Sequence, residues 1–140
     1  MEYFADLHVH VGSAKGQPVK ITASRALTLE SIFHNCIYKK GIDIVGIVDC
    51  ASPPVIKELN EFIEAGDLSE IPGGGLSYKE KLTVFLGAEI ETDEGTGAAH
   101  NVAFFRDVQH VTEFSNRIAE YITNINLSSQ SARMDARKLL

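Results

Sequence analysis

A chain of 140 residues that is 44% hydrophobic and 23% charged has the make-up of a soluble globular protein with one core, without repeats or low-complexity tracts. Its formal charge of −6 argues against broad affinity for nucleic-acid phosphates, which takes clustered Lys and Arg, although a cation bound by some of the acids would reverse the potential locally. Only Cys36 and Cys50 are present, no apolar run approaches the roughly 20 residues of a membrane span, and the N-terminus lacks a secretory pattern, so the expectation is a cytoplasmic protein with no membrane partner.

Tyr3–Val11 reads as a strand, and strand alternation puts Asp6, His8 and His10 on one side with Leu7, Val9 and Val11 on the other. Two neutral imidazoles on one face can close on a divalent cation, at metal–nitrogen distances of about 2.0–2.1 Å, if other side chains complete the shell; a pair of surface histidines is the alternative. A turn-rich loop, Gly12 to Pro18, follows. Leu29, Ile32, Phe33, Cys36 and Ile37 then fall at helical spacing, with Thr28 as N-cap, Glu30 in the first turn and Lys39-Lys40-Gly41 at the end. Ile42–Val48 is a mostly apolar strand, of the kind buried on both faces in a parallel sheet.

Ser52-Pro53 starts a second helix, with serine as cap and proline in the first turn; Val55, Ile56, Leu59, Phe62 and Ile63 form its apolar face and Gly66 ends it. Residues 67–79, with Gly73-Gly74-Gly75 inside, read as a loop. Leu82–Glu89 is a third strand and, after a polar turn, Asn101–Phe105 a fourth. A third helix begins near Val108, with Val111, Phe114, Ile118, Tyr121, Ile122 and Ile125 inward, and the last residues are polar, helical or frayed.

This order is that of an α/β protein with a largely parallel sheet, in which ligands collect at the carboxyl ends of strands. The candidate ligands follow that rule. His8 and His10 end the first strand, Asp49 the second, Glu89 and Glu91 the third, and His100 begins the fourth.

Asp6-Leu7-His8-Val9-His10, Gly46-Ile47-Val48-Asp49, Gly87-Ala88-Glu89 and His100 resemble, in order, the early motifs of the PHP (polymerase and histidinol phosphatase) metallophosphoesterases. Within that family, the segment Lys20 to Leu29, Ile47-Val48-Asp49-Cys50 and Gly73-Gly74-Gly75 are similar to the N-terminal part of the endonuclease Q group. The resemblance implies a distorted seven-stranded β/α barrel, of which this chain would supply about the first half, and a cluster of divalent ions, zinc or manganese. It further implies hydrolysis of DNA phosphodiesters on the 5′ side of deaminated or abasic nucleotides. By the same resemblance His8, His10, Glu89, His100 and Asp49 are metal ligands, with Asp49 and Glu91 the candidate catalytic acids; Lys20 and Arg25, flanking the loop that leaves the first strand, are candidate contacts to a substrate phosphate.

Several readings stay open beside it. Glu91 is a ligand, a partner to an imidazole or a solvated acid; Lys20 and Arg25 are phosphate contacts or ordinary surface cations. His34 and His110 read as structural, and Cys36 as core. Cys50-Ala51-Ser52 stands where the family carries a histidine, so Cys50 is a soft thiolate ligand or a small thiol in a tight turn. No histidine follows His110 and no Cys-x-x-Cys occurs, so the late ligands and the zinc ribbon of the family have no counterpart here. The expectation is an N-terminal portion of a PHP domain over residues 1–126 and a polar segment over 127–140, with the activity of the chain itself left open. A small-molecule phosphomonoesterase of histidinol-phosphatase type is the alternative enzyme. An inactive remnant that forms homo-oligomers through unpaired barrel edges is the non-enzymatic one.

Overall fold

A computed structural model describes residues 1–128 and 131–139. In chain order its elements are strands β1 (Ala5–Val9), β2 (Ser13–Ala14) and β3 (Gln17–Pro18), helix α1 (Leu29–Asn35), strand β4 (Ile44–Ile47) and helix α2 (Pro53–Glu64). Strands β5 (Leu68–Glu70), β6 (Leu76–Tyr78), β7 (Leu82–Asp93) and β8 (Ala98–Phe105), helix α3 (Val108–Ile118) and strand β9 (Ser131–Ala132) follow. The fold is mixed α/β, built on an open mixed sheet.

β1, β4 and β7 are parallel neighbours, and β6 and β5 extend the sheet beyond β7 in the antiparallel sense. The twelve residues of β7 outrun β4 and β6, so their second half pairs with β8 and, at Glu91 and Thr92, with β9. All three helices lie on one face, where Leu29, Phe33, Val55, Leu59 and Val111 pack against Val45, Ile47, Val84 and Leu86. Alternation along β7 therefore sends Leu82, Val84, Leu86, Ala88 and Ile90 to the helices. Thr83, Phe85, Gly87, Glu89 and Glu91 face the opposite, open side.

Local chemistry sets the helix boundaries. Thr28 caps α1 through a full capping box, its hydroxyl accepting from Ser31 N–H at 3.2 Å while the Ser31 hydroxyl accepts from Thr28 N–H at 3.0 Å. A π-turn over Cys36–Lys40 ends that helix, and Gly41 closes it in the left-handed conformation. Ser52 occupies the cap position of α2 with proline in the first turn, but its hydroxyl donates to the Asn126 carbonyl at 2.6 Å instead of capping.

Four departures from the sequence pattern have physical causes. The first strand is shorter than Tyr3–Val11 and carries a bulge: Asp6 pairs with Val45 and Val9 with Ile47, so three steps on β1 match two on β4. Asp6 and Val9 thus share the helix side and His8 and His10 the open side, which removes Asp6 from the histidine face. The His8 N–H, left without a ladder partner at the bulge, goes to the Asp6 carboxylate at 3.2 Å. Second, the stretch read as a loop over 67–79 is the β5–β6 hairpin, in which Leu68, Leu76 and Tyr78 are buried and the three glycines of the turn all have positive φ.

Third, β7 does not stop at Glu89, and β8 begins before Asn101; together they form one long hairpin with Glu91 opposite His100. Fourth, the C-terminal segment is in part a strand: β9 is followed by a single turn of 3-10 helix over Ala136–Leu139. Ala132 and Met134 are buried with Ile90, Ile118 and Ile122 in a second apolar cluster, which ties that segment to β7. No helix among the described residues is long and apolar enough to cross a membrane.

Candidate metal centre

The site sits on the open side of the sheet, where β1 and the chain after β4 flank β7. Val48 N–H donates to the Val9 carbonyl at 3.0 Å, Glu89 N–H to Val48 at 2.8 Å and Cys50 N–H to Gly87 at 2.9 Å, so the three segments remain in register past the end of β4. Gly46 lets β1 lie close: a Cβ there would meet the Leu7 backbone oxygen at 2.6 Å. The bulge then aims both imidazoles at one carboxylate. Glu89 Oε2 is 3.3 Å from His8 Nε2 and 3.1 Å from His10 Nε2, and one ligand atom from each of the three residues fits within 4.8 Å of the others. Two imidazole nitrogens and a carboxylate oxygen at this spacing are a donor set suited to a divalent transition ion.

The other Glu89 oxygen, Oε1, is 3.3 Å from His100 Nδ1, and His100 Nε2 is 3.3 Å from Glu91 Oε2. The β7–β8 register produces this pairing, since Glu91 and His100 are direct cross-strand partners. Glu89 is nearly buried, with 9% of its side chain exposed, whereas His8 and His100 are each 53% exposed. The carboxylate is thus held between imidazoles while the rim of the site is open to solvent.

Asp49 stands behind this group. Its side chain is fully buried, both oxygens lie 3.1 Å from His10 Nδ1, and Oδ2 also accepts the Val11 N–H at 2.7 Å. Oδ1 accepts the Ser128 hydroxyl. A carboxylate accepts, so an Nδ1–H on His10 would donate to Asp49 and leave Nε2 available to an ion held with Glu89. Asp49 is thus placed to orient His10, while the three residues whose ligand atoms come together around one point are His8, His10 and Glu89.

Cys50 is also behind the site. It is buried with its thiol on the Ile47 carbonyl at 3.2 Å, desolvation pushes that thiol far above its ordinary range, and its sulfur is not in the group formed by His8, His10 and Glu89. Burial likewise raises Cys36, which packs in the core. Lys20 and Arg25 belong to a segment pinned beside the end of β1, where Lys20 N–H donates to Val11 at 2.9 Å and the Arg25 carbonyl accepts the Ser13 hydroxyl at 2.6 Å. Only their backbones are placed next to the site by these bonds. His34 stacks on Tyr38 with ring centroids 4.9 Å apart, and His110 bonds Asp107 at the start of α3; both lie outside the centre.

Two contributors were not legible as such. The orienting role of Asp49 depends on where Val11 N–H and His10 Nδ1 point, which no spacing encodes, and Ser128 sits in a polar run with no periodicity. The Gly73–Gly75 turn bonds the Arg106 carbonyl through Gly75 N–H at 2.9 Å, an assignment within the fold.

Over 130 residues the chain is 42% identical to "Uncharacterized protein YqxK" of Bacillus subtilis (strain 168). The alignment takes in 91% of this chain and 33% of that protein, so the chain spans about a third of the length of the curated relative it matches. No family model matches the chain. No solved structure matches it either.

Proposed function

We propose that this chain forms part of a PHP-type, metal-dependent phosphoesterase that cuts DNA phosphodiesters next to deaminated or abasic nucleotides. The observation that carries the reading is Glu89, whose two oxygens lie 3.1–3.3 Å from His8, His10 and His100 on the open side of the sheet. Parallel β1, β4 and β7 in chain order, with every helix on the other face, is also how a β/α barrel begins.

His8, His10 and Glu89 are the residues that would hold the ion, zinc or manganese by the resemblance, with His100 and Glu91 beside them. When bound, a divalent ion supplies Lewis-acid charge at a phosphoryl oxygen. Asp49 fixes the His10 tautomer and ring plane. Glu91, a quarter exposed and 3.3 Å from His100, is placed to take up a proton from an attacking water. Lys20 and Arg25 bind the flanking phosphate. The half-exposed rim at His8 and His100 suits a bulky ester, which approaches from outside, better than a small substrate that must be enclosed.

The test begins with metal analysis of the purified chain and its titration with zinc and manganese. Less than one bound equivalent rules out the cluster. Duplexes containing hypoxanthine, uracil or an abasic site are then compared with a small phosphomonoester. Nicking at the lesion supports the nuclease. Monoester turnover without nicking gives the small-molecule phosphatase, and neither activity from a chain that light scattering shows as an oligomer gives the inactive remnant.

A further inference from the structure

Ser128 is fastened from several directions. Its N–H donates to the Val19 carbonyl at 2.9 Å, Leu127 N–H bonds Asn124 at 3.1 Å, and the Asn126 carbonyl accepts the Ser52 hydroxyl at 2.6 Å. These bonds hold residues 126–128 as a strap across the end of β4, and the Ser128 side chain reaches from it to Oδ1 of Asp49. The carboxylate it meets is fully buried and has a second fixed donor, Val11 N–H on Oδ2. Two donors, one on each oxygen, fix the plane of the carboxylate, and that plane sets the orientation of His10, whose Nδ1 is 3.1 Å from both oxygens. His10 Nε2 in turn is 3.1 Å from Glu89.

We propose that Ser128 is a positioning residue of the metal centre: its hydroxyl locks Asp49 so that His10 presents Nε2 to the ion, which couples seating of the 126–128 strap to metal affinity. This deepens the metal reading above and rests on it. Hydrogen bonds one step behind a metal-bound imidazole fix its tautomer and direction, and losing them weakens binding without removing a ligand. The small cavity beneath the strap, about 20 Å³ between Asp49, Glu89, Ile122, Leu127 and Ser128, is the size of roughly one water. A water could stand in for the hydroxyl in an alanine variant, so an isosteric pair is the sharper probe.

Ser128→Val and Ser128→Thr are nearly equal in volume and differ in the hydroxyl. Zinc affinity of the whole chain is measured by competition with a chromophoric chelator, and melting temperature on the metal-free protein. Ser128→Val is expected to bind zinc about 10–100-fold more weakly than wild type and Ser128→Thr within about threefold of it. Metal-free melting temperatures report the stability the hydroxyl itself contributes, and affinities are compared well below both of them, so the loss read is one of affinity and not of folding. Equal zinc affinities for Val and Thr overturn the role of the hydroxyl, whether both bind tightly or both weakly. A wild-type chain that binds no zinc or manganese overturns the metal reading itself and this proposal with it, which is a different result from a wild type that binds and variants that match each other.

Discussion

Gly46 is where the fit of β1 against the sheet can be tested with a single methyl group. An alanine Cβ there would lie 2.6, 2.8 and 2.9 Å from the oxygen, Cα and carbonyl carbon of Leu7, all of them backbone and unable to swing aside. Ordinary contact starts at 3.4 Å, so β1 must retreat by the difference, about 0.8 Å, at the residue before His8. Overpacking of this kind costs about 1–3 kcal/mol. The effect on the site should be larger in proportion, because ligand distances have to hold within about 0.2 Å. Gly46→Ala is expected to lower the urea midpoint of the metal-free chain, followed by circular dichroism, and to weaken zinc binding on the order of tenfold or more. Gly66→Ala is the control: its Cβ meets nothing within 4 Å but φ is +82°, so it should cost about 1–2 kcal/mol of backbone strain and leave zinc affinity unchanged. A Gly46→Ala chain with wild-type midpoint and wild-type zinc affinity would refute the claim that β1 is pressed onto Gly46 and that the histidines depend on it.

Glu89→Gln, which keeps the size but removes the charge shared by His8, His10 and His100, should abolish zinc binding in the same competition assay while the far-ultraviolet spectrum is retained. Leu59, fully buried between α2 and the sheet, should cost about 2–5 kcal/mol on truncation to alanine, read from chemical denaturation; a loss well under 1 kcal/mol would mean the helix layer is loosely packed. Asp107 caps α3, and its carboxyl is held below its ordinary value first by the His110 N–H at 2.9 Å and then by the His110 ring. A depressed value means the cap is fully present above the unfolded pKa of about 3.9 and is lost as pH falls through the folded value. The melting-temperature gap between wild type and Asp107→Ala should therefore be open near pH 7 and narrow as pH falls below the unfolded value of about 3.9, and a constant gap would contradict it.

Much of this was written in local patterns. The helical spacing of Leu29, Ile32 and Phe33, the Thr28 cap and the apolar runs at residues 44–47 and 82–88 place α1, β4 and β7, and ligand-bearing residues at strand ends lead to His8, His10 and Glu89. Local pattern failed where pairing decides. A bulge that swaps Asp6 to the other face cannot be read from the strand's own alternation, and Leu68, Leu76 and Tyr78 become strands only because α2 and β7 offer them a surface. Asp49 looks like one more acid at a strand end, and only the donors around it reveal how closely it is tied to His10, Val11 and Ser128. Ser128 carries no signal at all until the strap brings it 79 positions back along the chain.

The length of β7 has a consequence for the order in which the centre is built. Glu91 and His100 meet across a hairpin closed by the few residues between β7 and β8, a structure that forms in about 1–10 μs. His8 and Glu89 are 81 residues apart and meet only after β1, β4 and β7 have all found one another. The Glu91–His100 side of the centre is thus local in the chain, whereas His8 and His10 reach Glu89 only through two long-range pairings. An ion that needs both sides has no site on the unfolded chain, so its presence would be felt as added stability of the completed sheet, in proportion to the logarithm of its concentration over its dissociation constant.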